Sequence, residues 1–476
     1  MKLNQLYHKF IQGLKWNALF YALRKSMSTI LTILLFKQLT TQDFSLWANI
    51  YSAIFLTLLW LDFGFRKSLP RYCPEFAKNK NFMKKFITYL VSFQTIVLII
   101  FTPIFIKIAH MITHRLQITN KIEVFYLGCI LFVTEGVISV IRLIYYSYFW
   151  QKQFNSKMSI IITFKTLILI FFILAKPKSN ILLKIVFVTE LLATFIAIII
   201  SLHMLKRLYK SQKHTSEKKT QKKSIRDFAF HSGIMWINNN LKSLSERNFM
   251  MLFFTHLLGP LQANLFKLAN DGALFFQRIV VKTIGTTDTS LLSYIEIEKN
   301  NISQSTHEKD NFYQKKRKHM QEAFEQLIIK IASLCIPLFG ILFFISFNFN
   351  YLFKNQFVFQ IFFLVTTFYL FEYILSPYER LLEVKRRYIL LFISYVPYII
   401  IIAFLLFFQK ASTFGLLEII ISIHLARLII SFVTLYFAKS RYRVQFPYKK
   451  VLKISYITIF FTTIASLIIK IFYFQF

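Results

Sequence analysis

Long apolar stretches, separated by shorter polar ones, dominate the chain. A helix that crosses a bilayer needs roughly 20 mostly apolar residues, and thirteen stretches approach or exceed that length. Because the apolar runs are continuous rather than alternating, they predict helices and not the strands of a membrane barrel. The sequence therefore predicts an all-α polytopic membrane protein. The predicted spans are 15–39, 43–65, 86–110, 123–149, 158–175, 180–205, 227–255, 260–285, 322–347, 354–377, 388–409, 412–437 and 451–474.

Composition supports the same class. Hydrophobic residues make up 56% of the 476 residues and charged residues only 17%, against about 25% charged in a typical soluble domain. Cys73, Cys129 and Cys335 are scattered along the chain, so they indicate neither a disulfide framework nor a metal-binding motif. We expect a protein that needs no metal and no other cofactor.

Basic residues are in large excess. Lysine and arginine total 58 against 21 aspartates and glutamates, a formal net charge of +37. In a soluble protein that excess would suggest nucleic-acid binding, but in a membrane protein basic residues collect in cytoplasmic loops. With the N-terminus in the cytoplasm, 38 basic residues fall on the cytoplasmic side of the predicted spans and 7 on the other side. This distribution predicts a multi-pass protein of the inner membrane with a cytoplasmic N-terminus and no nucleic-acid partner. The side of the C-terminus stays open, because 12, 13 or 14 helices would fit the pattern.

Two short stretches resemble each other and indicate an internal repeat. Residues 39–47 join the first two spans, and residues 258–266 join spans seven and eight, 219 residues further on. This repeat predicts two six-helix bundles related by a pseudo-two-fold axis along the membrane normal, plus one or two extra C-terminal helices, an arrangement typical of transporters. The predicted domains are an N-terminal bundle (1–205), a basic cytoplasmic linker (206–226), a C-terminal bundle (227–437, with a cytoplasmic loop at 286–321) and an extra C-terminal helix (438–476).

Several charged side chains fall inside the predicted spans at helical spacing. Insertion of such a residue near the bilayer centre costs about 2.5–3.5 kcal/mol, so it usually faces a cavity or a partner. Arg24 and Arg247 lie mid-span at matching positions of the two halves, which favours a cavity. Lys165 lies alone in span five. The candidates for binding an anion are Arg24, Lys25, Arg142, Lys242, Arg247 and Lys267, and the acids that could pair with them or couple transport to an ion are Glu135, Glu190, Asp271, Glu372 and Glu418.

Two of these assignments have a simpler alternative. Arg142 lies near a cytoplasmic end, from which its side chain could reach the membrane interface. Lys267 and Asp271 are one turn apart and could neutralise each other. Basic residues nevertheless outnumber acids along the stripes. A water-filled cavity with such walls would attract an anion, phosphate above all, and would repel a cationic drug.

These residues resemble those of a known family, the polysaccharide and O-antigen flippases of the multidrug/oligosaccharidyl-lipid/polysaccharide (MOP) exporter superfamily. The stretch from 15–17 to 39–44 is similar to the family's opening helix and its Leu-Gly-Pro-Glu-x-Phe-Gly turn, with Thr40 and Thr41 in place of Gly-Pro. Residues 61–72 resemble the end of its second helix and the loop that follows. Residues 246–260 resemble its Asp-Arg and Leu-Gly-Pro in helices seven to eight.

The resemblance implies two bundles around a central cavity that opens alternately to either side of the membrane. It implies a flippase that moves an undecaprenyl-diphosphate-linked oligosaccharide from the cytoplasmic to the periplasmic leaflet for surface polysaccharide, such as the O-antigen of lipopolysaccharide. Arg24 and Arg247 would hold the diphosphate while the lipid tail stays in the bilayer. The implied partners are this substrate, membrane lipids and polysaccharide polymerase or assembly proteins.

Two other functions fit the sequence less well. A cation-coupled multidrug exporter of the same superfamily should have an acidic cavity, and the stripes here are basic. A membrane-embedded polysaccharide polymerase or glycosyltransferase usually has a sizeable extracytoplasmic loop, whereas the external loops here are no longer than roughly 15 residues, the length of plain connections. Neither paired carboxylates nor a nucleophile motif stands out. We therefore expect a transporter rather than an enzyme.

Overall fold

A computed structural model of the chain describes most of its residues, which are helical apart from short turns and contain no strand. This confirms the predicted all-α fold class. The described residues are Phe20, Leu23, 26–76, 80–116, 122–147, 150–211, 221–244, 246–284, 309–349, 356–385, 387–407, 415–442 and 444–474.

The described residues form fifteen helices in chain order. The first ten are α1 (26–38), α2 (Thr41–Trp60), α3 (Phe65–Phe76), α4 (Lys80–Leu116), α5 (Ile122–Ser147), α6 (Gln151–Leu174), α7 (Ser179–Ser211), α8 (Gln221–Ser243), α9 (Arg247–Leu258) and α10 (Pro260–Ile284). The others are α11 (Lys309–Phe349), α12 (Gln356–Val384), α13 (Tyr388–Phe407), α14 (Leu416–Tyr442) and α15 (Tyr448–Phe474).

Nine helices within the described residues, α4–α7 and α11–α15, are long and apolar enough to cross a membrane. They coincide with predicted spans three to six and nine to thirteen. Spans two, seven and eight correspond to α2, α8–α9 and α10. These helices are not among the nine, because they are more polar or, in the case of α9, shorter. Much of span one lies outside the described residues. The polar helices therefore fall at the start of each predicted half, where a repeat transporter has matching elements.

The chain divides into two compact units, Met1–Leu268 and Ala269–Phe476. In the first unit, α5 packs on α4 and α7, α6 packs on α7, and α2 packs on α4 and α9. In the second unit, α12 packs on α11 and α14, α13 packs on α14, and α11 packs on α15. Helices α8 and α9, which the sequence analysis assigned to the second bundle, pack on α2 and α3 of the first unit.

The predicted loop between spans two and three contains a helix of its own, α3. Its Leu69 and Cys73 are fully buried, and it packs on α5 and α8. The ring of Phe65 stacks on that of Phe228 with centroids 6.0 Å apart. Apolar residues that recur with the helical period form one buried face, so this segment is part of the protein core. The predicted cytoplasmic loop at 286–321 also includes helical residues at its C-terminal end, because α11 begins at Lys309.

The seventh span is interrupted. Helix α8 ends at Ser243 and α9 begins at Arg247. The indole of Trp60, at the end of α2, donates to the Ser243 hydroxyl at 2.7 Å. The indole of Trp236 donates in turn to the backbone carbonyl of Trp60. These two bonds fix the end of α2 against the last two turns of α8, next to the interruption.

The turn between α1 and α2 is held from several directions. Thr40 caps α2, since its hydroxyl accepts from the backbone N–H of Asp43 at 3.2 Å. The Ser179 hydroxyl donates to the buried Asp43 carboxylate at 2.5 Å, and the Asn264 amide donates to the backbone carbonyl of Thr41 at 2.9 Å. The repeat motif at 39–47 is therefore bonded directly to its counterpart at 258–266.

Candidate functional site

A cavity of about 130 Å³ lies among α5, α6 and α7 in the first unit. We call it the α5–α7 cavity. Its walls are mostly apolar, but four charged side chains line it: Glu135, Arg142, Lys165 and Glu190. The sequence analysis had singled out all four as charges inside predicted spans. The fold brings them together because α5 and α6 both lie beside α7.

An ion pair closes one side of the α5–α7 cavity. The Lys165 ammonium lies 2.6 Å from Glu190 Oε1, and the two side chains are only 14% and 13% exposed. Thr194 connects this pair to α5, because its hydroxyl lies 3.2 Å from Glu135 Oε1 and 2.8 Å from the backbone carbonyl of Glu190. Buried charges are stable when they are paired and hydrogen-bonded, and this arrangement meets both conditions.

Arg142 lies two turns from Glu135 on the same face of α5, since seven residues separate them. Its guanidinium donates to the Ser139 hydroxyl at 3.4 Å. The simpler alternative for Arg142 was a side chain that only reaches the membrane interface. That alternative does not account for the fact that Arg142 lines the cavity. The α5–α7 cavity therefore has two carboxylates and two basic groups, and its formal charges balance.

The polar helices of the first unit hold the other described candidates for anion binding. Lys242 is in the last turn of α8 and Arg247 is the first residue of α9, and both are half-buried. The Arg247 guanidinium donates to the Asn248 side chain at 3.4 Å. Lys267, on α10, is 5% exposed, and its ammonium lies 4.8 Å from the centre of the Trp47 ring, a cation–π distance. Arg24 and Lys25 lie outside the described residues.

A second charged group lies in the second unit. Arg427 on α14 forms an ion pair of 2.7 Å with Glu372 on α12, and both side chains are largely buried. The imidazole of His424 lies 3.6 Å from the same carboxylate, too far for a hydrogen bond, and stacks on Phe368. The Arg427 guanidinium also covers the Tyr369 ring at 5.0 Å. We call these residues the Glu372 cluster.

The other two acids singled out in the sequence are Asp271 and Glu418. Asp271 is buried on α10, one turn beyond Lys267. Glu418 is exposed in the first turn of α14. A role for Glu135, Asp271, Glu372 or Glu418 in ion coupling stays a prediction.

The sequence analysis found the charged residues but missed their pairing. Lys165 appeared isolated in span five, yet it bonds Glu190, 25 residues away. The only available signal was that both residues lie mid-span in consecutive helices. The analysis also missed the contacts of Trp60 with Trp236 and Ser243, because these residues are 176 and 183 positions apart.

No family model matches the chain, and no curated protein sequence matches it significantly. Solved structures do match. An outward-facing multidrug resistance MATE family transporter of the MOP superfamily is similar with a TM-score of 0.59 and 11% identity, over 90% of this chain and 95% of that one. The lipid II flippase MurJ, in an inward closed conformation, is similar with a TM-score of 0.54 and 15% identity, over 94% and 91%.

A variant of the Vibrio cholerae MATE transporter VcmN gives a TM-score of 0.56 at 12% identity, over 93% of this chain and 98% of that one. The chain has the fold of MOP-superfamily transporters. At these identities the likeness concerns the fold alone, and function has to be argued from the site.

Proposed function

We propose that this protein is a flippase that moves a lipid-linked oligosaccharide, with an undecaprenyl-diphosphate anchor, from the cytoplasmic to the periplasmic leaflet. It would work by alternating access, as one step in the synthesis of surface polysaccharide. Its partners would be the lipid-linked substrate, membrane lipids and the polymerase or assembly proteins of the same route.

One observation carries this proposal: the deep carboxylates of the apolar spans are matched by basic groups. Glu190 is bonded to Lys165 and Glu372 to Arg427, and the formal charges in the α5–α7 cavity balance. A transporter of cationic drugs would need carboxylates that are available to a cation. Here Glu190 and Glu372 already have a cation beside them, so these two carboxylates are less available to a cationic substrate.

The polar helices supply the groups that such a substrate needs. Lys242, Arg247 and Lys267 lie on α8, α9 and α10, which together with α2 are less apolar than the nine spans. Basic side chains bind phosphate oxygens through charge-assisted hydrogen bonds, and arginine can do so with two parallel bonds. We assign the diphosphate to Arg247, Lys242 and Lys267, with Arg24 and Lys25 as the further basic residues expected along the path, whereas Arg142 lines the α5–α7 cavity.

The competing function is export of a cationic drug. The likeness to MATE transporters favours it, whereas the likeness to the lipid II flippase MurJ favours an anionic lipid-linked substrate. The ion pairs described above support the second proposal. A polymerase or glycosyltransferase finds no support in the fold.

Reconstitution of the full chain into vesicles tests the proposal. A fluorescent undecaprenyl-diphosphate oligosaccharide should change leaflets faster in vesicles with the protein than in protein-free vesicles. Arg247→Ala should slow this movement at least tenfold, the loss expected when one charge-assisted hydrogen bond of about 1.5–3 kcal/mol is removed. The control is Lys184→Ala, which removes a basic residue from an exposed ion pair with Glu123 and should leave the rate unchanged.

The same vesicles discriminate between the two functions. A cationic dye should not be exported by the wild-type protein. Dye export without any movement of the lipid-linked oligosaccharide would overturn the proposal in favour of drug export. Normal oligosaccharide movement by Arg247→Ala would contradict the assignment of the anion site.

A further inference from the structure

The α5–α7 cavity has an unusual lining: one ammonium group shares it with carboxylate and hydroxyl oxygens from the two neighbouring helices. Lys165 enters from α6 and lies 2.6 Å from Glu190 Oε1 on α7. Glu135, on α5, lines the same cavity. The Thr194 hydroxyl bridges the Glu135 carboxylate and the backbone carbonyl of Glu190.

Carboxylate, hydroxyl and carbonyl oxygens are the ligands that hard metal cations take in proteins. Here the Lys165 ammonium bonds one of these oxygens, Glu190 Oε1, and lines the same cavity as Glu135 and Thr194. Two carboxylates that line one cavity in a low-dielectric interior need a cation nearby to remain charged. The ammonium supplies that cation, and because it is covalently tethered, it is always present.

The volume of the cavity agrees with an ion-sized occupant. About 130 Å³ accommodates roughly four water molecules at about 30 Å³ each, enough to complete the shell of a small ion. It is far too small for an oligosaccharide. This site is therefore separate from the substrate path proposed above, and the inference that follows does not depend on that function.

We infer that Glu135, Glu190 and Thr194 form a binding site for a monovalent cation, and that the Lys165 ammonium is its built-in occupant. In the wild-type protein the tethered ammonium makes this site independent of dissolved Na⁺. When the ammonium is removed, the α5–α7 cavity keeps Glu135 and Glu190 with Arg142 as its single basic group, a net negative charge. A dissolved Na⁺ then takes the position that Lys165 has vacated.

The test is a gain of Na⁺ binding in Lys165→Ala. The wild-type protein, Lys165→Ala and the double variant Lys165→Ala/Glu190→Gln are purified at about pH 8.5, where free carboxylates are ionised. Thermal unfolding is compared in equal concentrations of sodium chloride and choline chloride, and radioactive Na⁺ binding is measured at equilibrium. These measurements need no substrate, so their outcome is independent of the transport assay.

We expect the wild-type protein to unfold at the same temperature in both salts and to bind no Na⁺ at this site. Lys165→Ala should unfold at least about 3 °C higher in sodium than in choline, because a ligand that binds the folded state stabilises it. It should bind close to one Na⁺ per chain. The double variant has one carboxylate fewer, so its formal charges balance again and its response to Na⁺ should disappear.

Three outcomes would overturn the inference. The first is a wild-type protein that binds Na⁺ as well as Lys165→Ala does. The second is a Lys165→Ala variant that binds no Na⁺, and the third is a double variant that responds as strongly as the single one. If Lys165→Ala does not fold, Lys165→Met, which preserves the apolar stem, is purified in sodium and then exchanged into choline. Its unfolding temperature must fall on exchange for the inference to hold.

Discussion

The side-chain amide of Asn264 donates a hydrogen bond to the backbone carbonyl of Thr41 at 2.9 Å, across 223 positions of sequence. Thr41 begins α2 and Asn264 lies in the first turns of α10, so this bond joins the two repeated turn motifs. Asn264 is 1% exposed. The charge distribution predicts this end of the helices to be extracytoplasmic, and the contact closes the first unit there.

Replacing Asn264 by Leu should destabilise the first unit. The change keeps the size of the side chain but leaves the Thr41 carbonyl without this donor, which costs about 1–3 kcal/mol for a buried group. We expect a lower unfolding temperature in detergent. The control is Leu261→Ala on the same helix, where the side chain is 58% exposed and the change should stay within about 0.5 kcal/mol. Equal unfolding temperatures for the two variants would contradict the role of this bond.

Gly64 should not tolerate a side chain. Its φ is +74°, a region that other residues rarely adopt, and an added Cβ would come within 2.1 Å of the Ser232 carbonyl oxygen on α8. Backbone strain alone costs about 1–3 kcal/mol, so Gly64→Ala should separate α3 from α8 and reduce the yield of folded protein. Gly233 provides a matched control on α8, because a Cβ there meets nothing within 4 Å. Gly233→Ala should be neutral or stabilising by up to about 1 kcal/mol.

The ion pair of the Glu372 cluster should depend on both partners. Arg427→Ala leaves a buried carboxylate without its cation, which costs about 3–5 kcal/mol. The double variant Glu372→Gln/Arg427→Met should recover most of that loss, because neither charge remains. For comparison, Lys450→Ala breaks the more exposed pair with Glu325, whose N–O distance is also 2.7 Å, and should cost at most about 1 kcal/mol. Chemical denaturation of the four proteins measures the difference, and a double variant as unstable as Arg427→Ala would refute the account.

Lys267 should affect transport more than stability. Lys267→Met keeps the apolar stem over the Trp47 ring but removes the charge that we assign to the diphosphate. We expect the movement of the lipid-linked oligosaccharide to fall about tenfold or more, in proportion to one lost charge-assisted hydrogen bond. Lys184→Met, in an exposed ion pair, is the control. A large fall in unfolding temperature with unchanged transport would make Lys267 a structural residue only.

Most of the fold could be predicted because apolar runs of bilayer length leave few alternatives to helix. All nine apolar helices coincide with predicted spans. The interruption between α8 and α9 could not be predicted in the same way. Beside the interruption, Trp60 donates a hydrogen bond to Ser243. These two residues are far apart in the sequence, so no local pattern indicates their contact. Helix α3 was missed because its apolar residues are few and lie between basic ones.

The candidate site could be predicted only in part for a similar reason. A charged residue inside an apolar span can be identified from the sequence alone, and Glu135, Arg142 and Lys165 were identified in that way. Which charges meet depends on the rotation of each helix about its axis, and packing against neighbouring helices sets that rotation. Lys165 and Glu190 lie on adjacent helices and face each other, a relation that the sequence alone does not encode.

The contact between Trp60 and Trp236 gives the molecule a spectroscopic reporter of its own. The chain has five tryptophans, and two of them meet where α2 ends against α8. Indole emission depends on hydrogen bonding and on exposure to water. Any movement that withdraws α2 from α8 should therefore change the fluorescence of the unlabelled protein, and replacing Trp236 by Phe would identify the contribution of this junction.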